Sequence, residues 1–260
     1  CRYLSERLLE AWKANGGAPE GLPEDVAERV IYARRLVSER CLYGVDRNHM
    51  AVELAKLSLW LITLSNNRPF GYLDHALQTG DSLLGVTDID QVIHFHLDPK
   101  RGKKLHGGVF DMSEEIREAV DKAIELRNQV RTHRVLDITD VAEMAKLDRA
   151  AKLATAKVRL IADAVVGAAL AGGKQSDKLL NSRYAELSHV LEDWADKHRG
   201  FRDSVQKDLD HDLPEKDFSR QTLHWAVVFP EVFGSDDPGF DGIVGNPPFK
   251  GGQRISGDLG

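Results

Sequence analysis

Residues 246–249 read Asn-Pro-Pro-Phe and directly follow the apolar run Ile243-Val244. Proline lacks a backbone donor and fixes φ, so Pro247-Pro248 must end any strand to which that run belongs. In an open α/β sheet, ligands bind beyond the carboxyl ends of strands, where Asn246 is expected. Oxygen acceptors held at a stiff corner, beside the flat ring of Phe249, suit a planar substrate that bears an amino group.

The exocyclic amine of adenine is such a group, and it is a poor nucleophile because its lone pair is delocalised into the ring. Two acceptors on its hydrogens would localise the lone pair for attack, and stacking on an aromatic ring contributes about 1–3 kcal/mol per base. Two other interpretations stay open. Asn-Pro-Pro-Phe can arise by chance in a loop, and Phe249 can be a buried anchor.

Two acids stand where short apolar segments end. Asp46 closes the segment CLYGVD, and Asp81 lies within LQTGDSLL, residues 77–84. Ligands of α/β sheets bind beyond the carboxyl ends of strands, so both acids are candidate site residues. The alternatives are that Asp46 caps the helix starting at Asn48, and that Asp81 after Gly80 forms an ordinary turn.

The elements that must position these residues alternate between helix and strand, which predicts an α/β sheet. Residues 113–198 are rich in helix-forming residues and contain no proline, which predicts two or three long helices broken near 133–140 and 172–173. We interpret them as a solvated helical hairpin, with a specific binding arm as the alternative. The predicted helices cover 3–12, 23–40 and 48–64, the last well buried, and the predicted strands cover 41–46, 77–84, 91–97 and the buried segment ending at Asn246.

The composition limits the function classes. The chain has 260 residues and a net charge of −6, which argues weakly against a nucleic-acid surface, although a local cationic patch would escape this argument. The chain lacks an apolar run of membrane-spanning length. Two cysteines make no disulfide framework, which favours a reducing, cytoplasmic location. The histidines, including His94 and His96 on one face of a predicted strand, show no pattern typical of a metal site.

Together, the segments resemble a known family. FDGIVGNPPFKGGQRISGDLG, residues 240–260, is similar to the catalytic segment of large bacterial adenine-specific DNA methylases of type IIG restriction–modification and phage-defence systems. LYGVDRNHMAVELAKLSLWL and LQTGDSLL resemble the second and third cofactor segments of these enzymes, and HWAVVFPEVF resembles the segment before their catalytic strand. The resemblance covers roughly residues 40–84 and 220–260, plus the opening helix.

This resemblance implies a fold, a cofactor and site residues. The implied fold is a partial Rossmann-like sheet that binds S-adenosylmethionine, with a large helical insertion. Residues 1–110 would form the first part of the core, 111–200 the insertion, and 201–260 the return to the core. Asp46 would bind the ribose hydroxyls, and Asp81 with Ser82 would lie near the cofactor's adenine. The implied catalytic residues are Asn246, Pro247, Pro248 and Phe249.

The implied substrate is double-stranded DNA, from which an adenine is flipped into a pocket for methylation at N6. An RNA adenine, a protein glutamine, and a non-catalytic helical scaffold remain alternatives. The family's glycine-rich first cofactor loop is absent from this sequence, and we see no target-recognition domain. We therefore expect the present piece alone to methylate nothing detectable.

Overall fold

A computed structural model describes most of the chain, and everything below concerns those residues. They are 1–17, 22–64, 69–106, 112–133, 135, 137–172, 177–192, 198–213 and 219–246. Within these ranges, the strands are β1 (Gly44–Asp46) and β2 (Leu77–Thr79). The helices are α1 (Arg2–Ala14), α2 (Val26–Arg40), α3 (His49–Ile62), α4 (Ile89–Ile93), α5 (Pro99–His106), α6 (Ser113–Thr132), α7 (Ile138–Ala154), α8 (Ala156–Gly172), α9 (Asp177–Glu192), α10 (His198–Leu209), α11 (Trp225–Val228) and α12 (Pro230–Phe233).

The sheet consists of β1 and β2, which pair in parallel with Gly44 opposite Leu77 and Asp46 opposite Thr79. Helix α3 connects them, as parallel neighbours require a crossover. The fold is therefore mostly helical with a small parallel sheet, which is compatible with an α/β methyltransferase-like fold. The Rossmann-like character of the sheet and the three-part division of the chain stay predictions.

Local sequence signals explain several element boundaries. The Asp25 side chain accepts a hydrogen bond from Glu28 N (2.9 Å), so α2 begins at Val26, three residues after the predicted start at Pro23. Asn48 caps α3 by accepting from Met50 N (2.9 Å). The predicted break before residue 140 is confirmed, because Asp137 caps α7 with a reciprocal bond to Asp140.

Two predictions about elements are wrong. Residues 91–97 do not form a strand: they contain the end of α4 and a turn at Phe95, whose φ is 45°. A capping box at Asp88 and Gln91 favours the helix over the alternating pattern. Helix α3 is not well buried either, because only one of its faces packs against Leu73 and Leu77. Its opposite face exposes Met50, Leu54, Leu57 and Leu61.

The third error concerns the segment before Asn246. Residues 241–246 form no strand, and Ile243 and Val244 are 78% and 102% exposed instead of buried. A strand needs a neighbour with which to exchange hydrogen bonds, and in the part of the chain that the structure describes no strand lies beside this segment. The apolar side chains therefore have nothing to pack against.

The main hydrophobic core lies in the middle of the chain. Helix α8 has buried residues around its circumference and packs on α10, so the helical middle is not the solvated hairpin that we expected. Residues 85–222 leave the region of the sheet and return to it at one place. At that place Leu223 N donates to Leu84 O (2.8 Å), and the backbones of Asp81 and Thr222 form an isolated parallel β-bridge. We call this meeting point the neck.

Asp163 on α8 forms hydrogen bonds with Thr222 and His224 at the neck. Its Oδ1 accepts from the Thr222 hydroxyl (2.5 Å) and lies 3.0 Å from His224 Nε2. Nδ1 of His224 accepts from Val86 N (3.2 Å), so the proton of the neutral ring is on Nε2 and is donated to Asp163. The core helix and both sides of the neck are thus joined by one set of hydrogen bonds.

Candidate functional site

The structure brings Asp46 and Asp81 to the same edge of the sheet. Asp46 is the last residue of β1 and pairs with Thr79, the last residue of β2. Gly80 N donates to Asp46 O (3.0 Å), which holds the residue before Asp81 directly beside Asp46. The carboxyl ends of parallel strands are the usual place for a ligand in α/β proteins.

Each of these carboxylates has one oxygen engaged and one available. Asp46 Oδ1 accepts from Asn48 N (2.7 Å), and Asp81 Oδ1 accepts from Leu83 N (3.0 Å). The second oxygen of each makes no hydrogen bond with the described residues. The turn that we considered as an alternative is therefore present at Asp81, whereas the cap of α3 is Asn48 and not Asp46. One acceptor on each carboxylate is left for a ligand.

Ser82 is exposed at the same edge and is tied to Trp225. The indole Nε1 of Trp225 donates to Ser82 O (3.0 Å). Trp225 belongs to the segment HWAVVFPEVF, and sequence reasoning missed this link. The signal available was only its place in an apolar segment, and a bond to a backbone oxygen 143 positions away leaves no trace in the sequence.

Trp225 also belongs to an aromatic cluster that reaches toward Asn246. The ring of Phe240 lies 5.8 Å from Trp225, 5.3 Å from Tyr43, 6.0 Å from Phe229 and 5.7 Å from Phe233, measured between ring centroids. Such edge and tilted pairs are favourable beyond their buried area. Phe240 therefore anchors the start of the segment that leads to Asn246 beside the strand that ends at Asp46.

Asn246 itself is exposed and is the last residue of the segment that the structure describes. Pro247, Pro248 and Phe249 lie outside the described residues. The structure thus brings together Asp46, Asp81 and Ser82, and it leaves the position of the Asn-Pro-Pro-Phe corner relative to them as a prediction.

Behind the aromatic cluster, a buried polar network centres on Arg127 of α6. Its guanidinium donates to Asp148 Oδ1 (2.5 Å), His75 O (2.9 Å) and Val228 O (2.8 Å), and its Nε lies 3.5 Å from Glu231 Oε2. The network joins α6, α7, the segment before β2 and the segment 225–233. Sequence reasoning missed it because a single Arg in a charged helical region carries no sign of burial.

Two tyrosines extend this network toward the sheet. Tyr43, just before β1, donates to Glu231 (3.2 Å), and Tyr72 donates to Asp148 (2.9 Å). Burial, together with the neighbouring carboxylates, raises the pKa of both phenols far above the ordinary value. Both hydroxyls therefore stay protonated as donors, and they fix the entry to β1 and to β2 against the helices.

A cleft of about 400 Å³ opens between α3, β2 and α7, a size within the range of small-molecule sites. His49 at its rim contacts Thr79, with 3.3 Å between Nδ1 and Oγ1, so the cleft adjoins the edge that carries Asp46. Its charges are largely matched, since Lys56 Nζ lies 2.7 Å from Asp74 Oδ1.

The described residues contain neither a cluster of metal ligands nor a helix that could span a membrane. No group of three or more His, Cys, Asp or Glu side chains in these ranges could hold a metal ion, and His96 is buried against Tyr184, with ring centroids 4.6 Å apart. None of the helices in the same ranges is both long and apolar enough to cross a membrane.

A parallel β-α-β unit with acids at adjacent strand ends is the arrangement of α/β proteins that bind nucleotide-like cofactors. The family model of the Eco57I restriction-modification methylases matches residues 40–258 of the chain. Because this match covers most of the chain, the protein belongs to that family, whose members are DNA methyltransferases of restriction–modification systems. Neither a curated protein nor a solved structure gives a match to the chain.

Proposed function

We propose that the protein is an adenine-specific DNA methyltransferase that uses S-adenosylmethionine and modifies N6 of a flipped adenine in double-stranded DNA. The observation that carries the proposal is the placement of Asp46 and Asp81 at adjacent ends of parallel strands in a member of a methylase family. The sequence resemblance adds the adenine specificity and the type IIG or phage-defence class.

The residues at the sheet edge fit S-adenosylmethionine. Each carboxylate keeps one oxygen without a partner among the residues that the structure describes, so Asp46 can accept from the two ribose hydroxyls and Asp81 from an adenine amine. Ser82 offers a hydroxyl in the same turn, while its carbonyl is held by Trp225. When bound, the cofactor supplies an electrophilic methyl group.

Asn246 and its neighbours would prepare the nucleophile. The Asn246 side-chain oxygen and the Pro247 carbonyl accept from the two hydrogens of the amine, and Pro248 stiffens the corner that holds both acceptors. Phe249 stacks on the flipped base. The amine loses its proton only after it has been methylated, so no side chain with a special pKa is required.

The test compares Asn246→Ala with the wild type in the full-length parent protein, because we expect the present piece alone to be inactive. Transfer of a tritiated methyl group from S-adenosylmethionine to duplex DNA should fall by about 100-fold or more, the size of effect seen when one hydrogen-bonding group to the reacting centre is removed. Asn15→Ala is the matched control, because Asn15 is exposed at the end of α1, and it should retain full activity. Retained activity in Asn246→Ala would remove Asn246 from catalysis.

The chemical identity of the product tests the substrate. Digestion of the labelled DNA should release N6-methyladenine, and parallel reactions with RNA and with protein fractions should stay unlabelled. Label in RNA adenine or in protein glutamine would replace DNA as the substrate. If calorimetry finds no binding of S-adenosylmethionine to the full chain, the scaffold interpretation is favoured instead.

A further inference from the structure

Helix α5 presents a concentrated positive charge on a chain whose net charge is −6. Lys100, Arg101, Lys103 and Lys104 are all exposed within its eight residues, and the helix contains no acid. None of the other helices that the structure describes combines four cations with no acid. The three lysines have no carboxylate within salt-bridge distance in the described ranges.

The packing of α5 directs these lysines outward. Gly102 and His106, four residues apart, face the interior and are buried. A Cβ on Gly102 would lie 2.2 Å from His94 O, so the helix backbone sits directly on the segment after α4. Lys100, Lys103 and Lys104 are at i, i+3 and i+4 and therefore share the opposite face.

One acid stands next to this face, and the helix itself engages it. Asp98 Oδ1 accepts from Lys100 N (3.0 Å) and Arg101 N (3.3 Å), and these bonds hold the pKa of Asp98 below its usual range. Asp98 can offset one of the four cationic charges, so the helix keeps a clear positive excess. A fixed helical array of exposed lysines complements a polyanion with regularly spaced charges.

We propose that α5 binds backbone phosphates of the DNA duplex outside the base that is modified, an inference that rests on the proposed function. The chain between Leu84 at the neck and Pro99 includes α4, so even full extension of its other residues puts α5 no more than about 40 Å from the neck. One turn of duplex is about 34–36 Å long. A duplex that is bound at the sheet edge and is slightly longer than one turn is therefore long enough to extend as far as α5.

The test measures the salt dependence of DNA binding by the full chain. Each lost phosphate contact lowers the slope of log K against log salt concentration by about 0.9. The triple variant Lys100→Gln, Lys103→Gln, Lys104→Gln should therefore lose about 2–3 units of slope in anisotropy titrations of a labelled duplex of about 30 base pairs, over about 50–200 mM KCl. Its circular dichroism should match that of the wild type.

A second triple variant removes the same charge from other exposed surfaces: Lys13→Gln on α1, Lys146→Gln on α7 and Lys207→Gln on α10. The slope of this control should stay within about one unit of the wild-type slope. An unchanged slope in the α5 variant, an equal loss in the control, or no duplex binding by the wild type would overturn the proposal.

Binding of two further probes distinguishes DNA from other anionic partners. A measurement of DNA methylation distinguishes failure of this inference from failure of the proposed function. Binding of polyglutamate or of phosphatidylserine vesicles that requires the three lysines, with duplex binding unchanged in the variant, would assign α5 to an acidic protein or to a membrane surface. If the wild type methylates DNA and the slope is unaffected, only the role of α5 fails. If lysine-dependent duplex binding persists and the full-length parent protein methylates no DNA, only the proposed function fails.

Discussion

The replacement of Arg127 by Met should be among the most destabilising single changes in this protein. The Arg127 side chain is 2% exposed and bonded to the Asp148 carboxylate and to the carbonyls of His75 and Val228. Methionine keeps much of the aliphatic volume but leaves a buried carboxylate without this cation and two carbonyls without a donor. Breaking a buried ion pair in this way costs about 3–5 kcal/mol of unfolding free energy.

The loss should also depend on pH. In the wild type, burial alone would raise the pKa of Asp148, but Arg127 and Lys152 hold it below its usual value. Burial raises the pKa of Glu231 even though Arg127 opposes the shift. Without Arg127, the pKa of each acid moves up, so both favour the neutral form. The stability difference between variant and wild type should therefore shrink as the pH falls from 7 toward 5.

The assay is urea denaturation followed by circular dichroism at pH 7 and at pH 5. Arg117→Met is the matched control on the same helix, because Arg117 is exposed and lies 3.5 Å from Asp90. This control should lose no more than about 1 kcal/mol at either pH. A loss of that small size for Arg127→Met, or a loss that is equal at both pH values, would refute the role of the buried network.

Two further predictions concern other buried positions. Gly102→Ala should lower the unfolding free energy by about 1–3 kcal/mol, because its Cβ would meet His94 O at 2.2 Å; thermal denaturation measures this, and no change would contradict the close packing of α5. Burial, and secondarily Arg127, lowers the pKa of His75 to about 4. As the pH falls from about 6.5 to 4, the unfolded chain gains a proton that the folded chain excludes. The free energy of unfolding therefore falls by about 3 kcal/mol. His75→Phe should remove this loss of stability in urea titrations. If the unfolding free energy of the variant depends on pH as in the wild type, His75 is not its cause.

The sequence predicted those parts of the fold that local residues control. Asn48 caps its helix as the sequence predicted, and the caps at Asp25 and Asp137 lie within three residues of the predicted start and inside the predicted break. The two strand-end acids were found for a similar reason, because each follows a short apolar segment. Whether Asp46 and Asp81 bind a cofactor stays a prediction.

Other features depend on partners distant in sequence. Residues 91–97 alternate like a strand, but a capping box and the packing against α8 make them helix and turn. The exposure of Val244 depends on the lack of a neighbouring strand, which the apolar segment cannot reveal. The bond from Arg127 to Val228 spans 101 positions and that from Trp225 to Ser82 spans 143, and one sequence holds no record of such pairs.

The neck has a consequence for how this chain tolerates changes in length. Leu84 and Leu223 are already hydrogen-bonded neighbours, so the number of residues between them does not alter the distance that those residues must bridge. The entropy of closing a loop grows only with the logarithm of its length, at about 0.6 kcal/mol for each doubling. Insertions or deletions in the loops between α4 and α10 can therefore accumulate without displacing Asp81 from its place beside Asp46.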